Sequence, residues 1–206
     1  MTNANLPKWQ TASSKYLVKD RWITLRADSC TTPAGHTIEP YYVLEYPDWV
    51  NCFVIDKNLD MLLINNYRRA VDTYVLEPIG GGIEPGDTSP EAGIRRELEE
   101  ELGYTGGTLY SVGASYPNAA SHSNKVHSFF AFGGEISQRH QHEKGETMTI
   151  LRIPLREALA IILGQDSGRI YQSTHLANLL MTLNFIKHSN IPELQKVKDV
   201  IREEQW

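Results

Sequence analysis

The chain has 206 residues, 41% hydrophobic and 22% charged, which is enough apolar material for a full core and too balanced a charge content for a disordered chain. Twenty Lys and Arg against 25 Asp and Glu give a formal charge of -5, so no general basic field exists to hold a nucleic-acid backbone, and polymeric nucleic acid is not the expected partner. Cys30 and Cys52 lie in unrelated segments without metal-ligand spacing, against both zinc and a disulfide framework. The N-terminal stretch MTNANLPKWQ lacks an apolar leader core, and no run reaches the ~18 to 20 apolar residues that span a bilayer; a cytoplasmic protein with no membrane partner is expected.

From Lys15 to Tyr46 the β-prone runs YLV, WITLRADSC and YYVLEY are separated by turn signals, and they predict a small antiparallel meander. NCFVID and MLLINNY flank the turn from Asp56 to Asp60 and predict a second hairpin. Further strands are expected at TYVLE, TLYSVG, VHSFFAF and TMTILRI. Between TYVLE and TLYSVG come Gly80-Gly81-Gly82, read as a loop, then EPGD, then a helix from about Ser89 to Leu102. Its start is marked either by a capping box, Thr88 with Glu91, or by Ser89 as cap with Pro90 in the first position. Gly103 suits a left-handed C-terminal cap, and Ile94, Leu98 and Leu102 form an apolar stripe. Helices are also expected over Pro154 to Leu163, Leu176 to Ile186 and Glu193 to Glu204. These elements divide into a meander at 1–46, a central domain at 47–165 and a helical extension at 166–206.

In RRELEEELGY the carboxylates of Glu97, Glu100 and Glu101 stand at i, i+3 and i+4, on one side of the helix, while Glu99 points elsewhere. Each like-charged pair costs about 0.2 to 0.5 kcal/mol even when exposed, and two of the three carboxylates sit near the negative end of the helix dipole. A hard divalent cation compensates such a set, because magnesium takes oxygen ligands and bridges carboxylates to phosphates. Taken alone, the helix reads as a solvated acidic face beside Arg95 and Arg96. The glycine run before it, the cap and the strand after it change that reading, since glycine leaves backbone groups open to a metal or a diphosphate.

The segment resembles the Nudix hydrolases, whose box reads G-x5-E-x7-R-E-U-x-E-E-x-G-U, with U apolar. Arg96, Glu97, Leu98, Glu100, Glu101, Gly103 and Tyr104 match its second half. In the first half, phase with Gly82 puts Thr88 where Glu belongs, and Gly81 reaches Asp87 with one extra residue before Arg96; Asp87 is a candidate to replace that Glu. Over roughly Trp22 to Leu180, INNYRRA and VLEPIGGGIEPGD look like segments of the branch acting on ADP-ribose and nucleoside diphosphate sugars. The resemblance implies a Nudix-type α/β/α sandwich with a mixed sheet, the N-terminal meander serving a homodimer and the C-terminal helices following. It also implies a small-molecule nucleotide as substrate. Metal would be held by Glu97, Glu100 and Glu101, helped by the Gly80 carbonyl, with Mg2+ or Mn2+ as the ion. Glu101 and Glu100 would be the catalytic groups, Glu101 first in coordinating or orienting the water. Arg68, Glu77 and Arg69 would bind substrate.

Two departures point away from strict ADP-ribose specificity: Ala119 stands where relatives carry Pro, and SHSNKVH places Asn124 near the position of a catalytic Glu. Trp49 is read as core or dimer packing, with nucleobase stacking as the alternative. His122 could touch substrate, His127 packs, and Glu143 and Glu146 lie in a loop read as solvated although related enzymes bring a carboxylate to the site from there. The function expected is magnesium-dependent cleavage of the diphosphate in a nucleoside diphosphate joined to another group, of ADP-ribose or sugar type, giving a nucleoside monophosphate and a phosphorylated remainder. The competing readings are hydrolysis of nucleoside triphosphates, dinucleoside polyphosphates or coenzyme A, and a binding module of the same fold without turnover.

Overall fold

The computed structural model describes residues 6–136, 148–164 and 172–203. The chain gathers into two compact units, residues 1–47 with 116–125, and residues 48–115 with 126–206.

The first unit is an antiparallel sheet of β1 (Gln10–Lys19), β2 (Thr24–Thr31) and β3 (Thr37–Glu45), in that order. The β1–β2 turn is set by Asp20, whose carboxylate accepts from the backbone N–H groups of Trp22 (2.7 Å) and Ile23 (2.9 Å), the local mimicry that favours Asp in turns. Gly35 at φ +84° closes the β2–β3 turn, a conformation that costs glycine nothing. Arg26 on β2 forks Asp28 at 2.8 and 2.9 Å and also pairs with Glu45 on β3. The segment Tyr116–Lys125 runs beside β3, where the Leu44 N–H donates to the Ser121 carbonyl (2.7 Å) and the Ser123 N–H to the Leu44 carbonyl (3.1 Å). The predicted meander is therefore present. Its first strand is exposed along its whole length.

The second unit is built on β4 (Trp49–Ile55), β5 (Asp60–Arg68), β6 (Thr73–Glu77), β7 (Ile79–Gly82), α1 (Pro90–Leu102), β8 (Tyr104–Thr105), β9 (Thr108–Ser115), β10 (Val126–Phe132), β11 (Glu135–Ile136), β12 (Met148–Pro154), α2 (Leu155–Leu163), α3 (Ser173–His188) and α4 (Gln195–Glu203). The main sheet runs β12-β5-β4-β10-β9, with β6 on β5 and β7 on β4; β4 and β10 are parallel, and their other neighbours are antiparallel. This is the expected mixed sheet. WVNCFVI at β4 is apolar almost throughout because both faces of that strand are covered.

Alternation along β4 divides the core. Val50, Cys52 and Val54 pack with Ile94, Leu98 and Leu102 of α1. Phe53 and Ile55 pack with Leu159 of α2, Leu179 and Ile186 of α3 and Val197 of α4. Helices thus cover both faces, as the Nudix-type sandwich requires, and the helices of the C-terminal segment belong to the same unit as the sheet. No helix among the described residues is long and apolar enough to cross a membrane.

One expectation is corrected. The glycine run is a strand rather than a loop: β7 pairs antiparallel with β4, Asn51 opposite Gly80, Val50 opposite Gly81 and Trp49 opposite Gly82. Glycine's low strand propensity hides this, while the close approach demands glycine, since a Cβ on Gly80 would lie 2.2 Å from the Val50 carbonyl oxygen.

Asn178 on α3 is fully buried, one helical turn from the buried hydroxyls of Thr174 and Thr182. Its amide donates to the Asn51 side-chain oxygen (2.7 Å) and to the carbonyls of Asn51 (3.1 Å) and Phe129 (3.2 Å), and its oxygen accepts from Thr182 (3.0 Å). Removing it leaves several buried acceptors short of a donor, at about 1 to 3 kcal/mol for each group left unmet. Asn178→Leu is expected to lower unfolding stability by about 2 kcal/mol or more, seen as a shifted urea midpoint at unchanged slope. An unchanged midpoint would contradict this account.

Candidate active site

The acidic helix is fixed at both ends and on one side. Ser89 is its cap, its hydroxyl accepting from the Ala92 N–H at 3.1 Å, with Pro90 in the first turn; the Thr88 capping box does not form. Gly103, at φ 58°, ends it with its N–H on the Glu99 carbonyl. With Ile94, Leu98 and Leu102 buried, the rotation of α1 brings Arg96, Glu97 and Glu101 to the seam with β7 and leaves Glu99 exposed.

Arg96 fills that seam. Its guanidinium donates to Asp87 (3.1 and 3.3 Å), to the Gly82 carbonyl (2.9 Å), to Glu97 (2.9 Å) and to Glu100 (2.9 Å). Partial burial opposes its charge, but Asp87, Glu97 and Glu100 outweigh that and raise its pKa. Asp87, with a side chain 7% exposed, also accepts from the Glu84 N–H at 2.8 Å, so it ties the EPGD turn to the helix. The hydrogen bonds from Arg96 hold its carboxyl below the usual range. Glu97 moves the other way, its pKa raised by burial and only partly restored by Arg96. Glu97 stands so close to β7 that a Cβ on Gly81 would meet its oxygen at 2.4 Å. Glu101 accepts from the Gly80 N–H at 3.1 Å.

On the same strand opens a cavity of about 340 Å³, lined among others by Trp49, Asn51, Arg68, Gly80–Gly82, Thr174 and His175. Arg68 at the end of β5 is half exposed, and Glu77 at the end of β6, its side chain only 5% exposed, accepts from it twice at 2.7 Å. That planar fork fixes the guanidinium in orientation beside the cavity that it helps to line. Arg69 instead pairs with Asp72 at 2.9 Å on an exposed turn and is not part of the cavity wall. His175 is 8% exposed; burial, with the Arg68 charge adding, pushes its pKa down to about 3, so the ring is neutral.

Among the described residues no three acidic or histidine side chains form a ready metal cluster. Glu97 and Glu100 do converge, both 2.9 Å from one nitrogen of Arg96, Nη1. Of the other residues singled out in sequence, Trp49 lines the cavity, and His127 pairs with Asp48 at 2.9 Å. His122 meets the Tyr46 ring edge-on, and Asn124 is buried. Glu143 and Glu146 lie outside the described residues. Sequence reading missed Asn51, Gln172, Thr174 and His175. The available signal was Asn178 and Thr182, polar and four apart within an apolar helix pattern.

A family model described as the NUDIX domain matches residues 45–173, well over half of the chain, directly after a match of residues 9–44 to a nucleoside diphosphate sugar hydrolase N-terminal domain. The chain belongs to the Nudix hydrolase family. It is 22% identical over 165 residues to an ADP-ribose pyrophosphatase of Bacillus subtilis, covering 80% of this chain and 86% of that protein. It is 30% identical over 122 residues to a GDP-mannose pyrophosphatase of Yersinia enterocolitica, covering 55% and 61%. A solved ADP compounds hydrolase shares the fold, with a TM-score of 0.74 at 18% identity over 89% of this chain and 96% of that one. Nudix hydrolases generally use divalent cations.

Gly81→Ala isolates the contact between β7 and that helix. The added methyl meets the far end of a flexible side chain, so this Nudix hydrolase should fold but hold Glu97 out of place. The expected result is a loss of about tenfold or more in kcat with only a small change in melting temperature. Full activity in Gly81→Ala would show that the position of Glu97 is not critical.

Proposed function

We propose that this Nudix hydrolase is a magnesium-dependent pyrophosphatase that cleaves nucleoside diphosphates joined to a sugar or similar group, giving a nucleoside monophosphate and a phosphorylated remainder. The observation that carries the reading is the placement, along one glycine strand, of the carboxylates of α1 and of the Arg68 guanidinium fixed by Glu77. The matched N-terminal domain, described for nucleoside diphosphate sugar hydrolases, supports the substrate class.

The donor set fits a hard divalent ion, because Glu97, Glu100 and Glu101 offer only oxygens and two of them already converge on a positive charge. The Gly80 carbonyl is a further oxygen in reach of that role. An ion bound there supplies charge neutralisation of the diphosphate and makes a water more acidic. The rest falls to the chain. Arg68 binds a phosphate from its place in the cavity wall, and Glu77 acts by holding Arg68. Gly80 to Gly82 carry no side chains, so the diphosphate can approach the backbone. Glu101 orients the attacking water and accepts its proton. The water oxygen bonds to one phosphorus as the bond from that phosphorus to the bridging oxygen breaks, and the electron pair leaves with the other phosphate.

A panel of ADP-ribose, ADP-glucose, GDP-mannose, UDP-sugars and dNTPs, with products identified in oxygen-18 water, tests the reading. At least one diphosphate-linked compound should be cleaved with higher kcat/KM than any dNTP, and label should enter one of its two phosphate products. Chelator or Glu101→Gln should remove the activity by about 100-fold or more, Glu99→Gln should change it little, and Arg68→Ala should chiefly raise KM. Faster pyrophosphate release from dNTPs, or wild-type turnover in Glu101→Gln, would overturn it.

The N-terminal sheet supports a homodimer as the working form. Tyr16, Leu17 and Val18 on β1 and Trp9, Trp22 and Tyr42 of the same unit are exposed, and a second copy would cover such apolar side chains. Light scattering should give twice the chain mass, and Leu17→Glu with Val18→Lys should give the monomer. A monomeric wild type at micromolar concentration would refute the dimer.

A further inference from the structure

Among the described residues that line the cavity Arg68 is the one charged side chain, and the carboxylates of α1 are not part of its wall. The remaining polar wall is uncharged and comes from two distant segments, Asn51 on β4 and the start of α3 with Thr174 and His175.

Two atoms in that wall are buried and have no hydrogen-bond partner among the described residues. Asn178 can be placed only one way, because its amide nitrogen meets two backbone carbonyls and its oxygen accepts from Thr182. The same nitrogen also donates to the Asn51 side-chain oxygen, which fixes Asn51 in turn. The group of Asn51 left over is its amide donor, in a residue 3% exposed, and it has no partner. His175 is 8% exposed, and its Nδ1 likewise has none. Buried polar groups are nearly always satisfied, so two unmet ones in the wall of one cavity point to a ligand that satisfies them.

The chemistry of the wall restricts that ligand. Among the described residues of this wall a further phosphate would meet no second cation, and a charged group would lose hydration there without compensation. A hydroxyl both donates and accepts, so it suits an amide donor, a neutral imidazole and a threonine hydroxyl together. Sites built to bond a hydroxyl discriminate strongly against analogues lacking it, because their own groups are then left unpaired. Building on the function proposed above, we propose that Asn51, Thr174 and His175 form a subsite that receives the hydroxyl-bearing sugar joined to the diphosphate and sets substrate choice there.

The test compares ADP-glucose and GDP-mannose with the β-methyl esters of ADP and GDP, which keep nucleoside and diphosphate and lack the sugar. In the wild type at least one sugar nucleotide should exceed its methyl ester by about tenfold or more in kcat/KM. Thr174→Val and His175→Ala should lower the sugar arm by about tenfold while the methyl ester changes less than about twofold. Thr174→Val exchanges a hydroxyl for a methyl of similar size, so it carries the test if His175→Ala fails to fold. Equal losses on both arms, or no wild-type preference for the sugar, would overturn the subsite and leave the pyrophosphatase reading standing. A loss that instead tracks removal of the nucleoside 2′-hydroxyl, in 2′-deoxyADP-glucose, would assign the wall to the nucleoside and overturn the proposal. Cleavage of dNTPs with none of any diphosphate-linked compound would overturn both.

Discussion

Arg96 sits where Asp87, Glu97, Glu100 and the Gly82 carbonyl meet, and it is the side chain that lets the acidic helix exist before anything binds. Without it, Glu97 and Glu100 would face each other one helical turn apart with Glu97 largely buried, a charged group with no compensation. The same guanidinium ties the helix to β7 and to the EPGD turn, so the spacing between carboxylates and glycine backbone follows from one residue's hydrogen bonds. The opposite shifts on its partners fit this: Asp87 is stabilised as an anion, whereas Glu97 sits where burial still prevails over its pairing. For Asp87 the sign is that of a depressed carboxyl, so its contribution to stability is present above the ordinary carboxylate range and is lost only as pH falls through its lowered value.

Much of this arrangement was legible in the sequence because it rests on local periodicity. TYVLE and VHSFFAF are strands over those very residues, and the helix runs Pro90–Leu102 between a Ser cap and a left-handed Gly, where Ile94, Leu98 and Leu102 had placed it. The carboxylates of α1 were singled out from their spacing and Arg68 from the resemblance, and the structure sets Arg68 in the cavity wall. What sequence could not show was how Arg68 is used. Its partner Glu77 lies nine residues on, across a strand pair whose register puts Arg68 opposite Thr73, and only that pairing makes the two side chains a fork.

The glycine strand was misread for a physical reason. Three glycines carry no pattern of buried and exposed side chains and have low intrinsic strand preference, so local signals favour a loop. What makes them a strand is tertiary: β4 offers unpaired backbone groups, and only residues without Cβ atoms can lie that close to Val50 on one side and to Glu97 on the other. Asn51 was missed for a related reason, as a single polar residue in an apolar run reveals nothing until α3 brings Asn178 against it.

Alternation along β4 then explains why charge and recognition are separated. Val50, Cys52 and Val54 face α1, so the carboxylates belong to that side of the sheet, while Asn51 points to the opposite face, where α3 covers it. On the function and subsite proposed above, a diphosphate lying along β7 meets Glu101 and Arg68 while the group attached to it reaches Asn51 and His175. A one-residue slip of β4 against its neighbours would exchange the two faces, burying an amide under α1 and an apolar side chain in the polar wall. The paired amides of Asn51 and Asn178 oppose that slip, since only the observed register satisfies them, so one contact between β4 and α3 also fixes the strand on which β7 is paired.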